Sequence, residues 1–217
     1  MKKGSDGKVT HWFGYKLHIV CDCKSSLPLC ILLTPASTSD LVIAIEPIKK
    51  FKSMYNVLET KQIIMDSGYD AKENYDYIFY QCNANPIIAY NKRGEVTPPS
   101  GFNERFQPIC SCGFPLTYWG KDGDYLKFRC PNETGKAICP FGSIWCSNSN
   151  YDYCLKVNYK ENSRHYSYPH RGSDKWQHEY NKRSSIERCN SLLKEHLNID
   201  NVRSAGIQKA KVFALLI

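Results

Sequence analysis

From Trp12 to Asp22 the chain runs Trp-Phe-Gly-Tyr-Lys-Leu-His-Ile-Val-Cys-Asp, a partial alternation of apolar and polar side chains, and Leu27 to Thr34 is a second β-prone run beyond the turn-like Cys23-Lys-Ser-Ser. Alternation with period two lays one face of a strand on a core, so the pair predicts an antiparallel hairpin. Ser39 and Asp40 can cap a helix over Leu41 to Phe51, which Pro47 should shorten or kink. A short apolar run, Ile63 to Met65, predicts a strand that ends at Asp66. Asp70 with Glu73 three residues on forms a variant capping box for a helix reaching about Tyr80, and Asn85-Pro-Ile-Ile-Ala-Tyr90 is a further strand. Strand, turn, helix, strand is a βαβ pattern, in which ligands collect beyond the carboxyl ends of the strands. Asp66 stands at such an end.

Between about Glu95 and Ser173 helical periodicity disappears. Gly, Pro, Cys, Asn and Tyr become frequent, and β-like pieces such as Tyr125-Leu-Lys-Phe-Arg129 alternate with turns. Helical pattern returns at Asp174, continues to Leu197, and resumes from about Ser204 to Ile217. Three segments are therefore expected: an α/β first part over 1–94, a β-rich cysteine-containing insertion over 95–173, and C-terminal helices over 174–217.

The chain has 217 residues, 42% of them hydrophobic, enough for one core with an insertion. A formal charge of +8 suits a polyanionic partner such as nucleic acid, and equally a solvated basic surface. No apolar run is long enough to span a membrane and the polar N-terminus lacks the apolar core of a signal peptide, which predicts a cytoplasmic protein. There are eleven cysteines, and five crowd between Cys110 and Cys146. Clustered thiols in a reducing compartment point to metal before disulfide.

The sharpest pattern is Tyr180-x2-Arg183-x3-Glu187-x6-Lys194. At about 100° per residue, one continuous helix would gather these four side chains within an arc of roughly 60°. Ile186, Cys189, Leu193 and Leu197 fall on another arc, available for burial. An ordinary surface helix with an Arg183–Glu187 pair at i,i+4 reads the same way.

This stripe resembles the signature of one large group of prokaryotic insertion-sequence transposases of the DDE type. Other blocks resemble the same group in the same order. Phe13-Gly-Tyr-Lys-Leu-His-Ile19 is similar to its second strand, Leu33-Thr-Pro-Ala-Ser-Thr-Ser-Asp40 to the segment before its first core helix, and Met65-Asp66-Ser-Gly-Tyr-Asp70 to the block holding its second catalytic aspartate. The resemblance implies an RNase H-like mixed five-stranded sheet with helices on both faces, with the insertion before the helix of the catalytic Glu. It implies catalysis by Asp66 and Glu187, which would hold magnesium or manganese for cleavage and strand transfer. Two divalent ions need bridging carboxylates to activate a nucleophile and steady the leaving oxygen. Tyr180, Arg183 and Lys194 would hold the phosphates of the transposon end. The implied partners are transposon-end and target DNA, with a dimer on the DNA.

The family's first catalytic Asp lies on a strand just before the hairpin, and nothing in Met1 to His11 resembles that strand. Asp6 sits in a Gly-flanked polar stretch and Asp22 reads as a turn former, so neither is carried over. The chain is expected to begin after the first acid, to lack the family's DNA-end-recognition domain, and to be inactive alone. The alternative is a remnant acting only as a zinc-containing DNA-binding fragment.

Within the insertion, Cys110-Ser-Cys112-Gly, Arg129-Cys130-Pro, Cys139-Pro and Cys146 are compatible with one structural zinc, with free thiols, or with redox chemistry. Cys112, Cys130, Cys139 and Cys146 are the expected zinc ligands, with Cys110 in reserve. Cys21, Cys23, Cys30, Cys82, Cys154 and Cys189 read as small buried hydrophobes. Tyr151, Tyr153, Tyr159, Tyr166 and Tyr168, interleaved with Lys156, Lys160, Arg164 and Arg171, could stack on nucleic-acid bases or, the favoured reading, pack on one another.

Overall fold

A computed structural model of the chain describes residues 2–3, 9–10, 14–92, 97–142, 145–149, 152–201 and 206–216. Strands β1 (Lys2–Lys3) and β2 (Val9–Thr10) pair antiparallel. The alternating run then forms β3 (Tyr15–Cys21), antiparallel to β4 (Pro28–Pro35), with Tyr15 opposite Pro35 and Ile19 opposite Ile31. The predicted hairpin is present; Trp12, Phe13 and Asp6 lie outside the described residues. Asp22 makes its turn, accepting from the Ser25 backbone N–H at 2.6 Å, the Ser25 hydroxyl at 2.8 Å and the Lys24 N–H at 3.2 Å. The Ser25 bonds first, then the Lys24 contacts, hold its carboxyl below the usual carboxylate range.

The predicted helix after Asp40 is split into α1 (Asp40–Ile43) and α2 (Ile45–Met54). Pro47 has no N–H to offer the Ile43 carbonyl four residues back, which accounts for the interruption at Ala44. Ser39 occupies the cap position without a side-chain cap bond, and Asp40 instead accepts from Lys16 Nζ at 3.1 Å. Ile48 and Phe51 bury the inner face of α2.

Next come β5 (Gln62–Met65), a 3₁₀ turn over Ser67–Tyr69, α3 (Lys72–Asp76) running into a π-type turn to Gln81, and β6 (Asn85–Ile88). β5 and β6 are parallel, Ile64 opposite Ile87, which is the predicted βαβ unit. The segment expected to be an insertion forms β7 (Thr117–Asp122), β8 (Tyr125–Arg129) and β9 (Cys154–Asn158), an antiparallel sheet in that order. Its core is Leu116, Leu126, Phe128, Tyr159 and Tyr166, with Tyr153 and Tyr168 packed against it. Full burial of side chains this size stabilises by about 1.5–3 kcal/mol each. Tyr159 and Tyr166 are thus core residues, as favoured above; Tyr151 is outside the described residues.

The last elements are α4 (Asp174–Asn181), α5 (Ser184–Glu195) and α6 (Ile207–Leu216). The result is a mixed α/β protein whose described strands pair as four small sheets. The chain divides into two compact units, residues 1–59 with 181–217, and residues 60–180. In the first, α5 packs on β3 and α6 on β4. Ser185, Cys189 and Leu193 form the buried stripe of α5 at i, i+4, i+8, with Cys189 Sγ fully enclosed, while Leu197, expected on that face, is 40% exposed. No helix among the described residues is long and apolar enough to cross a membrane.

Candidate functional site

Asp66 follows the last residue of β5 in extended backbone (φ −73°, ψ 163°), and its Oδ1 accepts the Ser67 N–H at 2.7 Å. The bond fixes the carboxylate at the start of the 3₁₀ turn, where it remains exposed. Because β5 and β6 are parallel, Asp66 and the residues after Ile88 emerge from the same end of the pair.

That end is braced by a network the sequence did not reveal. Asp70, expected to cap a helix, does not: α3 begins after Ala71, whose side chain makes no cap bond, and the Asp70 carboxylate is turned inward with no exposed side-chain surface. It accepts from Tyr75 Oη at 2.8 Å, the Asn91 N–H at 2.7 Å, and Arg164 Nη2 and Nε at 3.1 and 3.2 Å. Arg171 Nη2 donates to Tyr75 Oη at 3.0 Å and to the Ile88 carbonyl at 3.2 Å, and Asn91 Nδ2 donates to the Ser67 carbonyl at 3.2 Å. Arg164 and Arg171 thereby hold the carboxyl ends of β5 and β6 and the turn beside Asp66. Burial, its largest influence, pushes the Tyr75 phenol far above its ordinary range, so it serves as a neutral donor. The only sequence signal for Arg164 and Arg171 was their place among the tyrosines.

The Tyr-Arg-Glu-Lys pattern is not carried on one continuous helix. α4 stops at Asn181 and α5 starts at Ser184. The Ser185 and Ile186 amides bond carbonyls three residues back, Lys182 and Arg183, each at 3.0 Å. This tighter spacing changes the angular phase that a uniform helix would keep, and Asn181, Ser184 and Ser185 are residue types whose side chains compete with helical bonding. Tyr180, the penultimate residue of α4, belongs to the 60–180 unit and is stacked on Trp176 at 4.8 Å between ring centroids.

In the other unit, Arg183 leads into α5 and pairs with Glu187 at 3.0 Å; the Glu187 side chain is 62% exposed. Lys194, seven residues after Glu187, is exposed on the same helix. α5 is held in place on its other side, where Cys21 Sγ lies 3.7 Å from Ser185 Oγ and Arg188 Nε donates to Ser26 Oγ at 3.1 Å. Glu187 is therefore presented outward by a helix whose opposite stripe is anchored.

The five cysteines between Cys110 and Cys146 come together. Cys110, Cys112, Cys130, Cys139 and Cys146 all line one small cavity, with Trp145 and Asp152. Cys112 and Cys139 are 3.7 Å apart at sulfur. All five are free thiols, and among the described residues no group of three or more His, Cys, Asp or Glu side chains is placed to hold a metal ion.

A family model described as a transposase DDE domain matches residues 1–217. No curated protein and no solved structure matches the chain.

Proposed function

The chain belongs to the transposase DDE domain family, and from that premise we propose that Asp66 and Glu187 are two of the carboxylates with which it holds divalent ions for DNA cleavage and strand transfer. Membership implies transposition chemistry on DNA, and DDE transposases use divalent metal ions, typically magnesium or manganese. The observation that carries the assignment of Asp66 is its place immediately after a strand of the parallel pair, exposed and fixed by the Ser67 N–H. Active-site groups of α/β sheets collect at such ends.

The donor chemistry fits the ion. Both residues are exposed carboxylates, hard oxygen donors of the kind magnesium takes while keeping several of its waters. Glu187 is engaged by Arg183 in a largely solvated pair, the weak kind of ion pair that a divalent cation readily replaces. Arg183, Lys194 and Tyr180 would hold phosphates of the transposon end, two cations and a hydroxyl donor suited to anionic oxygens. We assign the whole to an RNase H-like core carrying residues 95–173 as its insertion, working as a dimer on DNA.

The experiment is manganese binding followed by water-proton relaxation, in parallel with nicking of end-sequence DNA. Asp66→Asn and Glu187→Gln are each expected to weaken manganese binding at least tenfold, and to lower any cleavage by several orders of magnitude because the carboxylates act as a unit. Undiminished manganese binding in both variants would remove them from the metal site.

A further inference from the structure

We propose that Cys112, Cys130, Cys139 and Cys146 form a structural tetrathiolate site for one zinc ion in the 60–180 unit, separate from the carboxylates of the strand-transfer chemistry. The observation is convergence: three stretches of chain, around Cys112, Cys130 and Cys139–Cys146, bring their thiols to one cavity. Its volume of about 10 Å³ is that of a single water-sized sphere, room enough for an ion. Cys112 and Cys139, 3.7 Å apart at sulfur, are separated far more than the sulfurs of a disulfide. That separation matches the edge of a sulfur tetrahedron around zinc, about 3.8 Å for Zn–S bonds of about 2.3 Å.

The backbone around these sulfurs is built as two tight turns. The Gly113 N–H donates to the Cys110 carbonyl at 2.8 Å and the Gly142 N–H to the Cys139 carbonyl at 3.2 Å, and both glycines have positive φ, +80° and +71°. Cys139 Sγ accepts from Trp145 Nε1 at 3.4 Å and from the Phe141 backbone N–H. N–H donors aimed at sulfur stabilise thiolate, the form that binds metal. A zinc ion at this cavity would be held by Cys112 and Cys139, with Cys130 and Cys146 completing four-coordination. Cys110 also lines the cavity, a fifth thiol beyond the four of the proposed ligand set.

Four soft sulfurs as ligands select zinc over magnesium, so the two metal requirements can be separated. Protein purified under reductant without chelator should contain about one zinc per chain, and cobalt(II) replacing it should give the intense visible bands and thiolate charge transfer of a tetrahedral sulfur site. Cys130→Ser and Cys139→Ser should lower metal content at least tenfold. Cys110→Ser, Cys154→Ser and Asp66→Asn should leave it unchanged, Asp66→Asn because it touches only the proposed catalytic site. Should the cysteine variants not fold, the cobalt spectrum of the wild type decides. An octahedral spectrum, no stoichiometric binding, or binding abolished by Cys110→Ser overturns the proposed ligand set; a tetrahedral four-sulfur spectrum with Cys110 dispensable supports it.

Discussion

Replacing Arg164 by Ala isolates the brace at the end of β5 and β6. The Asp70 carboxylate has no exposed side-chain surface and Arg164 has 18%, so the substitution leaves a buried charge with only Tyr75 Oη and the Asn91 N–H as donors. Breaking a buried pair from one side costs about 3–5 kcal/mol. Partial solvation of the guanidinium lets water enter the vacated space, so the lower half of that range, about 3 kcal/mol, is expected. For a unit of this size such a loss lowers the melting temperature by on the order of 10 °C. The assay is urea unfolding of the wild type, Arg164→Ala, Asp70→Asn and the double variant. Once the carboxylate has been neutralised, removing the arginine should cost only about 1 kcal/mol, giving a coupling of about 2 kcal/mol. If Arg164→Ala lies within 0.5 kcal/mol of the wild type, or the two substitutions are additive, the pair does not brace the strand ends and the reasoning fails.

Arg183→Ala combined with Lys194→Ala should weaken DNA binding and reduce its salt dependence by about one unit of slope per lost phosphate contact; an unchanged slope places these cations elsewhere. His170, stacked on Tyr118 at 4.4 Å, has its pKa lowered to about 4, mainly by burial and then by Arg171. Its folded value thus lies below the unfolded one of about 6.5, and the unfolded chain binds the extra proton as pH falls through that interval. The stability from keeping this ring neutral is complete above about pH 6.5 and is lost progressively down to about pH 4, a span worth about 3 kcal/mol. His170→Phe should flatten the acid limb of a stability–pH curve, and an unchanged limb would assign acid sensitivity to other groups.

Much of the fold was legible because it is dictated locally. The alternation over Tyr15–Cys21, the turn-forming Asp22 and the β-prone run after it specify a hairpin from residues within some twenty positions of one another. Pro47 announced a broken helix because a missing N–H acts at a fixed distance, on the carbonyl four residues back. The apolar residues of Ile63–Met65 and Asn85–Ile88 suggested a βαβ unit, and the intervening helix leaves them parallel. The end of the first helix in the Tyr-Arg-Glu-Lys region was not legible. Periodicity assumes a constant 3.6 residues per turn, and the shortened turn at Lys182 and Arg183 contains neither Gly nor Pro to mark it.

The candidate site divides along the same line. The place of Asp66 at a strand end was legible because it is a property of one strand. Asp70 was misread because the capping rule weighs only neighbours: a carboxylate three residues before Glu73 resembles a cap, yet a helix N–H is a neutral donor, whereas Arg164, 94 residues away, offers a charge-assisted pair in a dry environment. The stronger distant partner prevails and the helix begins one residue later, at Lys72 after Ala71. The same preference governs the arginines placed among the tyrosines, for which stacking on bases was the less favoured of two readings. Arg164 and Arg171 face inward because the carboxyl ends of two parallel strands leave carbonyls and a buried acid that require donors, and a guanidinium supplies several from one side chain. A polar side chain's role is therefore set by which unsatisfied groups the fold brings to it, information absent from any window of neighbouring residues.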